Sequence, residues 1–234
     1  MSSVRLESIT LHRQRTAILD EVSLSVAPGV RMAVVGPSGA GKTTLLRVIA
    51  GLDAPTTGHV HIDDSDVTSA PPASRGVAML FQDAALYPHM TVRRNLEFPL
   101  RMRGVDRDER AARAEGVADR LELRSVLDRT PDQISGGEQQ RVGLGRALVA
   151  KATIWLLDEP FGQLDTRLRR RLESVVLELQ AETGATVLLV THDQDEAERL
   201  ATHVAVLHQG RLMQSGRLSD VQRDDDGLFA LELI

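Results

Sequence analysis

The stretch "MAVVGPSGAGKTTLLRVIAGL", from Met32 to Leu52, decides the fold. An apolar run, a glycine-rich segment and an amphipathic run follow one another, which predicts a strand, a loop and a helix. The glycines let backbone N–H groups surround a phosphate, and Lys42 adds an ammonium. With these flanks, the spacing G-x-x-x-x-G-K-[ST] predicts a phosphate loop in which Thr43 offers a hydroxyl to Mg²⁺. The predicted phosphate-binding residues are Gly36, Pro37, Ser38, Gly39, Ala40, Gly41, Lys42, Thr43 and Thr44.

The remaining apolar runs predict the fold class. Three of them are continuous, as in strands buried on both faces of a parallel sheet, at residues 77–82, 154–159 and 187–192. Three others alternate and predict antiparallel strands, at residues 4–13, 18–29 and 59–67. Helical patterns lie between the runs, for example at residues 108–123 and 165–184. The sequence therefore predicts a mixed α/β fold.

Each continuous run ends in polar residues: Gln82, Asp158 with Glu159, and His192. Ligands bind beyond the carboxyl ends of parallel strands, so we expect these residues beside the phosphate loop. Adjacent residues of a strand point to opposite sides. Asp158 can then hold Mg²⁺ while Glu159 orients or deprotonates a water. Glu159, His192 and Gln82 are the predicted catalytic residues, and Thr43, Gln82 and Asp158 the predicted metal ligands.

A second glycine-containing stretch, "ISGGEQQRVGLGRAL", covers residues 134–148. Ser135 and Glu138 have the spacing of a capping box. Capping leaves Gly136 and Gly137 unexplained, since a glycine in a helix costs about 1 kcal/mol relative to alanine. We expect a phosphate to approach these glycines closely. If residues 84–150 form a separate lobe, a two-fold dimer is the economical arrangement, with each chain closing on its partner's nucleotide.

Composition excludes several classes of protein. The net charge of -5 gives no general attraction to nucleic acid. Cysteine is absent, so no disulfide framework exists. Residues 1–16 lack the apolar region of a signal peptide, and no apolar run reaches the roughly 18 residues of a membrane span. Only two of the 28 basic residues are lysines, which makes the placing of Lys42 informative.

The order and spacing of these motifs, together with "IWLLDEP" and "FGQLD", resemble those of ATP-binding cassette (ABC) transporter ATPase subunits over nearly all of the chain. The resemblance implies a P-loop NTPase fold with a RecA-like core, an antiparallel β subdomain and an inserted helical subdomain. It implies one domain over residues 1–234, with the helical subdomain in residues 84–150 and the rest in residues 1–83 and 151–234. It also implies two ATP molecules with Mg²⁺, sandwiched head-to-tail between two chains. The residues that it places on the partner's ATP or between the two sites are Ser135, Gly136, Gly137, Glu138 and Asp165.

The segment 81–96 is similar to the loop of ATPase subunits that serve sugar importers. The similarity implies that residues 82–100 contact separate transmembrane permease subunits, and through them an external solute-binding protein. The expected activity is ATP hydrolysis that drives import of a sugar or similar small solute. The expected location is the cytoplasmic face of the cell membrane, with an identical chain as the second cassette and no nucleic acid bound.

Three features depart from the usual pattern of that family. Glu138 stands where glutamine is frequent, and His12 or Arg13 stands where an aromatic residue usually stacks on adenine. Either side chain can stack on a base, and Arg13 is the predicted contact. Sugar-importer subunits usually continue beyond a segment like residues 228–234 into a regulatory domain. We expect this chain to lack that domain, being either naturally short or truncated.

Two alternative functions stay open at this point. One is a soluble ABC-type ATPase with no link to transport, although the chain shows neither a second cassette nor a coiled-coil insertion. The other is a nucleotide-gated structural subunit with little hydrolysis, suggested by the missing aromatic residue. Less specific patterns predict a solvated helix face at residues 167 and 169–171, a solvated turn at residues 224–226, and no metal at His59 and His61, which lack a third ligand.

Overall fold

Two β-sheets organise the fold in the computed structural model, which describes residues 1–162, 164–221 and 229. The strands are β1 (Val4–Arg13), β2 (Thr16–Val26), β3 (Arg31–Val35), β4 (Thr57–Ile62), β5 (Ser65–Asp66), β6 (Val77–Leu80), β7 (Ile154–Asp158), β8 (Thr186–Val190), β9 (His203–His208) and β10 (Arg211–Arg217). The helices are α1 (Lys42–Ala50), α2 (Val92–Met102), α3 (Arg107–Arg120), α4 (Gly136–Val149), α5 (Thr166–Thr183) and α6 (Gln194–Leu200). The turn expected at residues 224–226, most of the segment 228–234 and Gln163 lie outside the described residues.

The larger sheet has the strand order β10-β9-β3-β8-β7-β6. Strands β9, β3, β8, β7 and β6 are parallel, and β10 pairs antiparallel with β9. All four continuous apolar runs form neighbouring parallel strands, as predicted. Their carboxyl ends therefore meet at one edge of the sheet, which is where the candidate site lies.

Strand β7 shows why its apolar run is continuous. Trp155 and Leu157 enter the core formed with helices α2 to α5. Ile154 and Leu156 enter the core on the other side, with α1 and the smaller sheet. All four side chains are at most 1% exposed, and burying a side chain of this size contributes about 1.5–3 kcal/mol. The larger sheet is thus covered on both faces, and this packing fixes the position of the carboxyl ends of its parallel strands.

The smaller sheet is antiparallel, with the order β2-β1-β4-β5. Its strands come from the three alternating runs of the sequence, and a turn at residues 63–64 divides the third run into β4 and the short β5. The α/β fold predicted from the sequence is confirmed, including the separate antiparallel sheet.

Helix α5 illustrates both a correct and an incorrect prediction. The stripe with Leu172, Val175 and Val176 is buried, and the helix ends at Gly184, whose φ is 68°. The expectation of a solvated face at residues 167 and 169–171 is wrong for Arg169. Its helical phase turns the guanidinium inward to Asp193, with Nη1 3.0 Å from Oδ2.

None of the helices within the described residues combines the length and the apolar character that a bilayer span requires.

Candidate active site

The loop between β3 and α1 adopts a backbone that depends on glycine. Gly36 has φ of 144° and Gly41 has φ of 100°, both outside the range of ordinary L-residues. A Cβ at Gly36 would lie 2.0 Å from the carbonyl oxygen of Leu207. The chain therefore folds tightly enough for its backbone N–H groups to converge. Among the described residues no side chain caps the N-terminus of α1, so its first N–H groups are left for an anion.

Lys42 lies across this loop. Its Nζ donates to the carbonyl oxygens of Gly36 at 2.8 Å and Pro37 at 2.9 Å. An ammonium has three protons, so one donor remains for a ligand. Burial lowers the pKa of Lys42, while the charges of Glu159 and Asp158 act in the opposite direction. A bound phosphate would add negative charge and favour the ammonium form.

Thr43 and Asp158 form the floor of the site. The Thr43 hydroxyl donates to Asp158 Oδ1 at 3.1 Å, and Asp158 is only 1% exposed. Burial raises the pKa of Asp158, whereas the Thr43 hydrogen bond lowers it. A hydroxyl and a carboxylate at this separation are hard oxygen donors, which suit Mg²⁺.

Glu159 stands above this floor with a strained backbone. Its φ is 46°, a conformation that costs a non-glycine residue about 1–3 kcal/mol. Its two carboxylate oxygens have different neighbours: Oε2 accepts from Gln82 Nε2 at 3.3 Å, and Oε1 lies 3.3 Å from His192 Nδ1. The structure thus brings together three residues that end separate strands.

These groups surround a cleft of about 480 Å³. Its polar lining comes from the phosphate loop, Gln82, Glu159 and His192, and its apolar lining includes Ile18 and Val190. Sequence reasoning missed Ile18, because an apolar residue at the edge of a strand is common and carries no signal of a site. The arrangement can hold a polyphosphate with a divalent cation and present a carboxylate to a water beside it.

The second glycine stretch lies elsewhere on the surface. Ser135 caps α4, and both bonds of the predicted capping box are present. The pKa of Glu138 is lowered because its carboxylate accepts the Ser135 backbone N–H and hydroxyl. Ser135 and Gly136 are exposed, and neither belongs to the lining of the 480 Å³ cleft in the described chain.

Packing within the chain explains some glycines of α4 but not Gly137. A Cβ at Gly143 would lie 2.9 Å from Leu80 Cδ1, and one at Gly145 would lie 2.7 Å from Leu96 Cδ2. Among the described residues, a Cβ at Gly137 would meet only Leu164 Cδ2 within 4 Å, at an ordinary contact distance of 3.4 Å. The packing within the chain therefore leaves room for a side chain at Gly137. The phosphate that the sequence predicts close to Gly137 would then belong to a ligand that another molecule brings.

Asp165 and Arg13 have contacts that the sequence did not reveal. Asp165 caps α5 by accepting the backbone N–H of Arg167 and Leu168. Arg13 pairs with Asp53 at 2.9 Å. Neither Arg13 nor His12 lines the cleft in the described chain, and the adenine contact of Arg13 stays a prediction.

Sequence reasoning also missed Gln140, which supports the loop at Glu159. Its Nε2 lies 3.2 Å from the Glu159 carbonyl oxygen and 3.3 Å from that of Pro160, and the residue is 3% exposed. The signal was its phase, since Gln140 shares a stripe of α4 with the buried Leu144 and Leu148. A buried glutamine on an apolar stripe indicates a fixed hydrogen-bond partner.

The loop before α2 is held by two further residues that were missed. Asn95 is fully buried, accepts the backbone N–H of Tyr87 and donates to the Tyr87 and Met90 carbonyl oxygens. Arg146 of α4 donates to the Ala85 carbonyl oxygen at 2.7 Å and lies 4.9 Å from the centre of the Tyr87 ring. Hydrogen bonds therefore fix the conformation of residues 85–90 and connect this loop to α4.

Comparison with known proteins extends this description. A family model described as "ABC transporter" matches residues 19–162. The Fe(3+) ions import ATP-binding protein FbpC of Pasteurella multocida is 42% identical over 224 residues, which cover 96% of this chain and 64% of that protein. The sn-glycerol-3-phosphate import ATP-binding protein UgpC of Bartonella quintana is 44% identical over 217 residues, which cover 93% of this chain and 62% of that protein. The chain thus spans less than two thirds of the length of these two relatives.

The fold also matches solved structures. A dimeric post-hydrolysis state of the ATP-binding cassette MJ0796, bound to ADP and Pi, has a TM-score of 0.85 at 31% identity. The match covers 92% of this chain and 98% of that one. The likeness therefore extends over nearly the whole fold.

Proposed function

We propose, from the premise that this chain belongs to the ABC transporter ATP-binding family, that it hydrolyses ATP in a head-to-tail dimer and so drives transport through separate membrane subunits. The observation that carries the proposal is that the two predicted phosphate-binding stretches lie in different places on one chain. The phosphate loop and Glu159 line one cleft, whereas Ser135 and Gly136 lie exposed outside it. One chain supplies the chemistry and offers its second glycine stretch to another chain.

ATP binding rests on the phosphate loop. Backbone N–H groups, the uncapped N-terminus of α1 and the third proton of Lys42 all present positive potential to the phosphates. Ile18 supplies an apolar wall, and Arg13 is proposed to contact the base. Thr43, Asp158 and Gln82 would hold Mg²⁺, which neutralises phosphate charge when bound.

Hydrolysis is assigned to Glu159. Its carboxylate takes a proton from the attacking water, because it is the carboxylate that faces the open cleft while Asp158 stays on the floor. Gln82 donates to one oxygen of Glu159 and fixes its direction. His192 lies beside the other oxygen and is proposed to donate to the γ-phosphate.

The contact with the membrane subunits is assigned to residues 82–100. Beside the loop at residues 85–90 lies a groove of about 400 Å³. Phe98 and Met90 give it an apolar part of its lining, and among its described lining residues the arginines outnumber the acidic Glu97. The groove suits an amphipathic helix that carries carboxylates. A peripheral position on the cytoplasmic face of the membrane follows from this contact.

The remaining parts of the proposal concern organisation and solute. We assign residues 84–150 to a helical subdomain and the rest of the chain to the core and antiparallel β subdomain. FbpC and UgpC are named for different solutes, so we assign solute choice to the permease and an external solute-binding protein. The transported molecule is proposed to be a sugar or similar small solute.

The decisive experiment mixes two defective chains. Gly136→Asp places a carboxylate where the partner's phosphate should lie, and Lys42→Ala removes the ammonium of the phosphate loop. Each homodimer then has two damaged sites, whereas a mixed dimer has one intact site. With random exchange about half of the dimers are mixed. ATP-dependent association, followed by light scattering, should therefore return on mixing.

A matched control keeps this test specific. Gly116→Asp adds the same carboxylate to an exposed glycine of α3, where an added Cβ would approach none of the described side chains within 4 Å, and it should associate normally. Absence of any gain on mixing, with both variants folded and exchanging subunits, would show that the second glycine stretch does not serve a partner's nucleotide.

A further inference from the structure

Arg169 connects two loops that the proposed mechanism treats separately. From the first turns of α5, its Nη1 donates to Asp193 Oδ2 at 3.0 Å and its Nη2 to the Leu164 carbonyl oxygen at 3.4 Å. The side chains of Arg169 and Asp193 are 24% and 29% exposed. Leu164 precedes Asp165, which is assigned to the partner interface, and Asp193 follows His192, which is assigned to the γ-phosphate.

The Asp193 end of this connection is rigid. Asp193 caps α6 by accepting the Glu196 backbone N–H at 3.0 Å, and its own N–H donates to Thr191 Oγ1 at 3.0 Å. Asp193 is thus held at three points, two on its carboxylate and one at its backbone N–H. Any movement of Arg169 relative to Asp193 is therefore passed to the neighbouring His192.

The surroundings of this connection also contain a donor and an acceptor that make no hydrogen bond in the described structure. Arg169 Nε and Glu196 Oε1 are both buried and without a hydrogen-bond partner in the described structure. Partly buried ion pairs add little net stability, because desolvation offsets their attraction, and their best-attested use is to fix register. Arg169 thus keeps a donor that its present partners do not use, and its charge already acts on Glu196.

We propose that Arg169 is a positioning residue that sets His192 according to whether a partner chain occupies Asp165. The inference rests on the proposed function. Docking of the partner moves the backbone at residues 164 and 165, Arg169 follows the Leu164 carbonyl, and Asp193 carries the shift to His192. Hydrolysis then depends on dimer closure through a contact inside each chain.

The test compares Arg169→Met with Arg170→Met. Arg170 is the neighbour on the same helix and has no contact with Asp193, so its variant removes the same charge without touching the connection. We expect Arg169→Met to lower kcat roughly 10- to 100-fold, as small misplacements of catalytic groups do, with KM for ATP within about threefold of wild type. ATP-dependent association, measured in a Glu159→Gln background, should be retained. Arg170→Met should match wild type in all three measurements.

Two more variants separate positioning from folding. Arg169→Lys keeps a charge but only one contact, so it should recover part of the lost kcat. Asp193→Asn should lower kcat without changing KM, and the double variant with Arg169→Met should lose no more than the worse single variant, because both act through one connection.

Several results would overturn the inference. One is a kcat for Arg169→Met within about threefold of that of Arg170→Met. Another is loss of association or ATP affinity in proportion to kcat, which a general structural defect would cause. If Arg169→Met does not fold, a normal kcat in Asp193→Asn overturns it instead. The proposed function itself fails separately, if Lys42→Ala and Glu159→Gln leave hydrolysis unchanged.

Discussion

Replacing Glu159 by glutamine isolates its proposed chemistry from its structural contacts. Glutamine has the same shape and keeps a carbonyl oxygen that can accept from Gln82 Nε2, which now lies 3.3 Å from Oε2. The strained φ of 46° is the same for either residue. What the variant loses is a base, and general-base contributions are typically about 10²–10⁴-fold. This range corresponds to about 2.7–5.4 kcal/mol of transition-state stabilisation.

Nucleotide binding should survive the same change. The charge of Glu159 reaches the phosphate loop, since it acts on the pKa of Lys42. Removing that charge removes repulsion from bound phosphates, so ATP affinity should stay equal or rise. Phosphate release at saturating MgATP measures the loss of turnover, and light scattering measures ATP-dependent association, which should increase.

Glu178→Gln is the matched control for Glu159→Gln. Glu178 is an exposed carboxylate of α5, and its variant should hydrolyse ATP like wild type. Retention of more than about a third of wild-type turnover by Glu159→Gln would refute the assignment of Glu159 as the base.

Three further predictions concern other parts of the chain. Lys42→Ala should weaken ATP binding and hydrolysis together, because its charge meets phosphate in ground and transition states alike, and chelation of Mg²⁺ should abolish turnover; unchanged nucleotide affinity by titration calorimetry would contradict this. His89→Asp, in the groove beside α2, should leave basal hydrolysis of the isolated chain unchanged but abolish transport with the cognate permease; loss of basal activity would assign the loop to the catalytic core. Glu196→Gln should flatten part of the pH dependence of stability. Burial and the nearby Asp193 charge raise the pKa of Glu196 from 4.5 to about 7, so its contribution is present below pH 4.5 and is lost as the pH rises to about 7. Measured by denaturant unfolding, the free energy of unfolding of the variant should rise relative to that of wild type by up to about 3 kcal/mol between about pH 5 and 8. If the free energies of unfolding of the two proteins change with pH in parallel, the assignment is refuted.

The parts of this protein that could be predicted from sequence are those fixed by local spacing. The phosphate loop needs its glycines and Lys42 within one short segment. The four parallel strands show themselves because burial on both faces makes each run continuously apolar. Such patterns depend on neighbours along the chain, and the sequence contains all of those.

The parts that could not be predicted depend on distant neighbours. Arg169 and Arg170 are adjacent arginines, and only the packing of α5 against α6 decides that one of them faces Asp193. Gln140 is distinguished by carbonyl oxygens that come from another element. The φ of Glu159 is imposed by tertiary structure, because no local pattern asks a glutamate to adopt it.

Helix α4 has a mechanical consequence. Its first residues follow Ser135, its middle holds the Glu159 loop through Gln140, and Arg146 holds the loop at residues 85–90. Ser135 and Arg146 are eleven positions apart, which is about 16 Å along a helix. Gly143 packs closely against Leu80 of β6 and Gly145 against Leu96 of α2, so the middle of the helix is held in place. If residues 85–90 contact a permease and Ser135 contacts a partner chain, as proposed, a displacement at one end of α4 would shift the other end together with Gln140, which is hydrogen-bonded to the carbonyl oxygen of the proposed base Glu159.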